Sequence, residues 1–212
     1  MTAILLSDIK QSLVPDLEDR MISQVDGDNP RLGYIPSQTD ESRTYFHPAW
    51  DQFKRIGFED YVYVDVDREY DASLLPELRQ CDAIFLSGGN TFHFLSCLKQ
   101  TEMLVWLQAY VREGGVLIGA SAGAMIMTQR IDIADIVDEK YKSQSPLSKS
   151  DYGSFGLASM HFYPHYERTK YEQEQLHSFI EGDLPVVTCE DGSGVVVKEE
   201  GWEFYGQAGI FK

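Results

Sequence analysis

Val116-Leu117-Ile118-Gly119-Ala120-Ser121-Ala122-Gly123-Ala124-Met125-Ile126-Met127 changes character once, at Ser121. The unbroken apolar run before it has the pattern of a strand buried on both faces, as in a parallel sheet. The apolar run after it reads as the start of a helix. Only small residues lie between, so the backbone can turn from strand to helix without a loop. That junction is the repeating unit of α/β folds. It also carries Gly-x-Ser-x-Gly, the pattern of a nucleophile elbow. Such a turn holds its central residue in a strained conformation and thrusts the hydroxyl out at the carboxyl end of the sheet. The amide of Ala122 points to the same spot as an oxyanion donor. The bland reading of the same residues is a glycine-rich turn packed on a sheet.

Working outward, Ala83-Ile84-Phe85-Leu86 ends in Ser87-Gly88-Gly89, and Ala3 to Leu6 closes on Ser7-Asp8. Val62 to Val66 alternates with period two. Helical faces lie between these runs: Trp50, Phe53, Lys54 and Gly57; then Phe92, Leu95 and Leu98; then Leu104, Leu107 and Val111, closed by Gly114-Gly115. Strand alternating with helix predicts a parallel sheet covered by helices on both faces. Residues 131–151 are polar and read as an irregular excursion over the sheet edge. Residues 167–180 read as a helix stopped by Gly182 and Pro185. From Val186 onward, Asp191-Gly192 and Glu200-Gly201 suggest added β-hairpins. No repeat or linker divides the chain, so 1–212 is expected to be one domain.

The 212 residues are of ordinary soluble composition, 43% apolar and 25% charged. With 18 basic and 34 acidic residues the net charge is −16, which repels nucleic acid and anionic membrane surfaces. There is no signal-peptide pattern at the start and no stretch approaching a membrane span. Cys81, Cys97 and Cys189 form no CxxC pair, which suits a reducing compartment, so cytoplasm is the expected location. The sequence allows a homodimer without specifying one.

A serine hydroxyl needs a base. Of five histidines, His161-Phe162-Tyr163-Pro164-His165 offers two at the end of an apolar stretch, with Pro164 stiffening the approach to His165. The acid that orients the imidazole is open between Glu190, at the end of Val186-Val187-Thr188-Cys189, and Asp135. Gly88-Gly89-Asn90-Thr91-Phe92 opens a helix that Asn90 or Thr91 can cap. Gly89 is a candidate second oxyanion donor. The loop lacks the third glycine of a dinucleotide fingerprint.

Ile4-Leu5-Leu6-Ser7, Gly88-Gly89-Asn90-Thr91-Phe92, Gly119 to Ala124, Tyr163-Pro164-His165-Tyr166 and Cys189-Glu190-Asp191-Gly192 occur in one order over nearly the whole chain. In that order and spacing they resemble the peptidase E family of serine peptidases. The resemblance implies a doubly wound, mostly parallel α/β fold with helices on both faces, related to class I glutamine amidotransferase domains (flavodoxin-like), and a Ser-His-Glu triad on Ser121, His165 and Glu190, with Asp135 as second choice for the acid. It implies a short peptide substrate, including Asp-X dipeptides, and chemistry that needs no metal or organic cofactor. Cyanophycinases use the same scaffold on other aspartyl polymers. A cation for an acidic substrate side chain falls to Arg168 or Lys170, with Asn90 as a further substrate-binding candidate. The alternatives are a non-peptidase hydrolase of the amidotransferase-like superfamily and a non-catalytic small-molecule binder.

Overall fold

The computed structural model describes residues 1–25, 27, 29–180 and 182–212. The chain runs through β1 (Thr2–Leu6), α1 (Pro15–Ile22), β2 (Arg31–Ile35), α2 (Phe46–Ile56) and β3 (Asp60–Tyr63). A short α3 (Leu75–Leu78) leads to β4 (Ala83–Leu86), α4 (Thr91–Gln100), α5 (Met103–Arg112), β5 (Val116–Ala120) and α6 (Ala122–Ile126). Two one-turn helices follow, α7 (Ala134–Val137) and α8 (Glu139–Lys142), then β6 (His161–Tyr163) and α9 (Lys170–Ile180). The last strands are β7 (Val186–Cys189), β8 (Gly194–Lys198), β9 (Gly201–Tyr205) and β10 (Ala208–Ile210).

Strands β3, β2, β4, β5 and β1 lie side by side in that order, all parallel, and β8 and β9 continue the sheet antiparallel beyond β1. Strands β10, β7 and β6 form a second, three-stranded sheet. Alternation along each strand sorts side chains between two cores. Ile4, Leu6, Ala83, Phe85, Val116 and Ile118 face α1 and α2, where Leu17, Met21, Phe46 and Phe53 meet them. Ala3, Leu5, Ile84, Leu86 and Leu117 face the other way, onto Leu95, Leu98, Leu107 and the small sheet's Phe162 and Val187. Helices therefore cover both faces of the main sheet, as the sequence pattern predicts. Each fully buried side chain of this size contributes about 1.5–3 kcal/mol. No helix among the described residues is long and apolar enough to cross a membrane.

Several elements differ from the sequence expectation. Strand β2 has no counterpart in it, because Arg31-Leu32-Gly33-Tyr34-Ile35 interrupts its apolar run with a glycine. Strand β3 spans Asp60–Tyr63 and stops before Val64 and Val66, which are nonetheless buried. On α2 the buried face is Phe46, Ala49, Phe53 and Ile56; Lys54 is exposed and Gly57 caps the end. The 131–151 excursion is anchored rather than loose, with Ile131, Ile133 and Ala134 fully buried. The turn at Asp191-Gly192 joins no hairpin; it carries the chain from the small sheet to the main one, whereas Lys198 and Gly201 do flank a hairpin between β8 and β9.

Helix α6 lies against β5 and β4 so closely that a Cβ on Gly123 would fall 2.2 Å from the carbonyl oxygen of Leu86. Gly123→Ala is accordingly expected to cost about 1–3 kcal/mol through a forced backbone shift. Urea denaturation measures it; an unchanged midpoint would mean α6 lifts from the sheet at no cost.

Candidate active site

The parallel register brings the carboxyl ends of four strands to one edge: Leu6 pairs with Ala120, Gly119 with Leu86, and Leu86 with Ile35. Ser7, Ser87-Gly88-Gly89, Ser121 and Pro36-Ser37 follow those ends. Crevices at such edges are where α/β sheets bind ligands. Ser121 has φ 50° and ψ −109°, a conformation L-residues rarely adopt. It is held there from both sides. Its N–H donates to the Leu6 carbonyl at 3.0 Å, continuing the β1–β5 ladder, and its carbonyl accepts from Met125 N–H at 2.9 Å, the first turn of α6.

His165 arrives from the other sheet. Pro164 keeps Tyr163 extended at the end of β6, and His165 then takes φ 56°. Its N–H donates to Ser7 Oγ at 2.7 Å. The ring stands with Nε2 2.9 Å from Ser121 Oγ and Nδ1 2.7 Å from Asp191 Oδ1. An ionised carboxylate only accepts, so the proton belongs on Nδ1, and the Nε2 lone pair faces the serine hydroxyl. The buried Ser7 hydroxyl donates to the same Asp191 oxygen at 2.8 Å. One small side chain thus fixes both the backbone and the acid partner of His165.

The acid at the ring is Asp191, not Glu190. Glu190 extends the β7 ladder by donating its N–H to the Gln207 carbonyl, and successive side chains there point opposite ways. Its carboxylate pairs instead with Arg168, which also donates to Gln207 Oε1 at 2.7 Å. Arg168 lines a hollow beside β10 with Tyr166, Gln207 and Phe211, a hollow that neither Ser121 nor His165 lines. Lys170 is 91% exposed and pairs with Glu174 at 3.6 Å. Asp135 lies elsewhere, against Lys142 at 3.1 Å, Lys149 at 3.0 Å and the Tyr152 hydroxyl at 3.0 Å. Burial pushes its carboxyl up, and those three donors outweigh burial and hold it below the usual range. His161 is buried under Phe179 and its Nδ1 has no hydrogen-bond partner.

Ser121 and His165 open onto a cleft of about 430 Å³. Gly88, Gly89 and Asn90 line it beside them. Gly89 has φ 148°, and a Cβ there would sit 2.0 Å from Ser37 Oγ, so only glycine fits. Asn90 Oδ1 accepts from Phe92 N–H and His93 N–H, capping α4. Asp138, also in the lining, accepts from the N–H and hydroxyl of Thr91; burial pushes its carboxyl above the usual range despite those bonds. Lys10 and Lys140 are the lysines of the lining.

Ser7, Asp191, Asp138, Lys10 and Lys140 are absent from the sequence-derived candidates. Ser7 carried a signal, since it follows a buried strand just as Ser87 and Ser121 do. Asp191 lay within the Cys189-Glu190-Asp191-Gly192 segment, one residue past the acid chosen there, and Asp138, Lys10 and Lys140 are ordinary surface-type residues in an acidic chain. Among the described residues, one grouping of His, Cys and carboxylate atoms has its ligand atoms all within 4.8 Å of one another: Asp67, His93 and Cys97. None of the three lines the cleft.

The model of "Peptidase family S51" matches residues 3–204. An uncharacterized peptidase from Pasteurella multocida is 27% identical over 177 residues, covering 81% of this chain and 83% of the relative. A peptidase E from a Nostoc species is 24% identical over 165 residues, covering 71% of this chain and 65% of the relative. The crystal structure of a putative peptidase E protein from Listeria monocytogenes superposes with a TM-score of 0.76 at 20% identity, over 100% of this chain and 98% of that one. At that identity the likeness establishes the fold.

Burial lowers the pKa of His161, so the folded chain resists a proton that the unfolded chain accepts below about 6.5. The penalty is absent above that pH and grows as pH falls towards the folded value. His161→Phe should therefore match the parent near pH 8 and gain stability over it near pH 5, measured by urea midpoints. A difference that does not change with pH would mean His161 titrates freely in the folded state.

Proposed function

The chain belongs to peptidase family S51, and from that membership we propose that it is a serine peptidase of short peptides acting through Ser121, His165 and Asp191. One observation carries the reading: an unbroken line of hydrogen bonds from Asp191 Oδ1 through the imidazole to Ser121 Oγ at the mouth of the cleft. His165 accepts the hydroxyl proton through Nε2 as Ser121 Oγ attacks the peptide carbonyl. Asp191 holds the tautomer and stabilises the imidazolium that forms. The strained turn at Ser121 works as a nucleophile elbow. The amides of Ala122 and Gly89 are the oxyanion donors. His165 then returns the proton to the leaving amine, and water resolves the acyl-enzyme by the same route. Three free, buried thiols support a reducing compartment, the cytoplasm.

The cleft also suggests how a peptide is held. Asp8, Asp40 and Asp138 line it and would attract an α-ammonium group, and the Asn90 side-chain amide is a further donor for a substrate carbonyl. An acidic first side chain needs a cation, because a carboxylate buried without a partner costs several kcal/mol. Lys10 and Lys140, which line the cleft, are the candidates for that role, whereas Arg168 is tied to Glu190 and the exposed Lys170 pairs with Glu174.

Ser121→Ala and His165→Ala should each lower kcat by at least ~10⁴-fold with folding intact. Asp191→Asn should cost about 10³–10⁴-fold, since the ring loses its enforced tautomer, and Glu190→Gln less than about tenfold. Steady-state kinetics on a dipeptide panel reads all four. A larger loss at Glu190 than at Asp191 would reassign the acid.

On the same panel, Lys10→Ala or Lys140→Ala should raise KM for Asp-X peptides and leave neutral peptides nearly unchanged, with Arg168→Ala silent. Rapid cleavage of neutral peptides with Asp-X ignored would remove the aspartyl preference and keep the serine chemistry.

A further inference from the structure

Helix α4 carries His93 and Cys97 four residues apart, on one face of its first two turns. Opposite them, in the segment after β3, stands Asp67. His93 Nε2 lies 3.3 Å from Asp67 Oδ2 and 3.4 Å from Cys97 Sγ. His93 Nε2 thus has a carboxylate oxygen and a thiol sulfur as neighbours at once, three metal-ligating atom types in one cluster.

A metal ion would satisfy all three atoms together. With metal–nitrogen and metal–oxygen bonds of about 2.0–2.1 Å and a zinc–sulfur bond of about 2.3 Å, neighbouring ligands of a tetrahedral site lie roughly 3.3–3.6 Å apart. The two contacts at Nε2 have those lengths. The surroundings are anionic as well. Asp65 is 5% exposed, and its Oδ2 is buried with no hydrogen-bond partner. Its Oδ1 accepts from Asp67 N–H at 2.6 Å, which holds the Asp65 carboxylate against the Asp67 backbone.

We infer that Asp67, His93 and Cys97 form a binding site for a thiophilic divalent transition metal, zinc being the best match to a thiolate, imidazole and carboxylate set. Calcium and magnesium are excluded by the sulfur and nitrogen donors. The side chain of His93 is 37% exposed, leaving a fourth position open towards solvent. The site is structural. Asp67 Oδ2 also accepts from Thr39 N–H at 3.2 Å, and His93 N–H donates to the capping Asn90 at 3.2 Å. A bound ion would clamp the Ser37 to Thr39 segment and the Gly89-Asn90 turn, both beside the cleft, to the body of α4. The inference does not depend on the peptidase reading.

Tag-free, reduced protein stripped with chelator is titrated with Co²⁺ and then Zn²⁺. One equivalent of Co²⁺ should produce tetrahedral d–d bands and a thiolate-to-cobalt charge-transfer band. Zn²⁺ should displace it and raise Tm by about 5–10 °C once free zinc exceeds Kd some ~100-fold. Cys97→Ser should abolish the charge-transfer band, while Cys81→Ser, away from the cluster, should keep it. His93→Gln and Asp67→Asn should each weaken binding by at least about tenfold. Failure to bind an equivalent of either metal, or a thiolate band that survives Cys97→Ser, overturns the site.

Discussion

The parallel pairing of β1 with β5 is the constraint on which the rest of the candidate site depends. Leu6 opposite Ala120 leaves Ser121 as the first residue past the ladder, and the bond from Ser121 N–H to the Leu6 carbonyl continues that ladder one residue further. The same strand end delivers Ser7, whose hydroxyl holds both His165 and Asp191. A slip of one residue in this register would turn every alternating side chain to the opposite core and swing the serine away from the histidine. The strand is packed between the two cores, with Ile4 and Leu5 fully buried on opposite faces.

Strain at the site is supported by packing nearby. Ser121 and His165 both have positive φ, and each donates its main-chain N–H to the β1 end, Ser121 to the Leu6 carbonyl and His165 to the Ser7 hydroxyl. Small residues make the approach feasible. Gly119 and Gly123 let α6 lie on the sheet, where a Cβ on Gly119 would meet the Gly123 carbonyl carbon at 2.6 Å. The backbone that displays the serine is therefore a consequence of the tight β5–α6 contact, not of the serine itself.

Electrostatics follow from the same geometry. The chain carries a net charge of −16, yet its acids are not interchangeable. Asp135 is ringed by two lysines and a tyrosine hydroxyl; Glu190 is matched to Arg168; Asp138 is buried against Thr91. Asp191 alone among these four meets the imidazole. Placement decides which carboxylate orients the histidine, because a hydrogen bond acts over one atom's reach.

Local pattern made most of the main sheet's parallel strands legible, β2 excepted. Apolar runs closed by glycine mark β4 and β5, helical faces mark α4 and α5, and Gly-x-Ser-x-Gly marks the turn, since each depends only on neighbours along the chain. His165 was legible through the proline before it and the family resemblance. The amino-acid sequence by itself therefore determined the α/β class and the strand-to-helix turn that carries Ser121, and it narrowed the candidate base to His161 and His165. Only the tertiary structure decided that Asp191 rather than Glu190 meets the ring, that Ser7 braces both, and that Lys10 and Lys140 face the cleft while Arg168 does not. Those outcomes hang on which side of a strand end a side chain leaves and on contacts between two separate sheets, 158 residues apart in the case of Ser7 and His165. Long-range proximity of that kind is created by packing, and a pattern read along one segment carries no record of it.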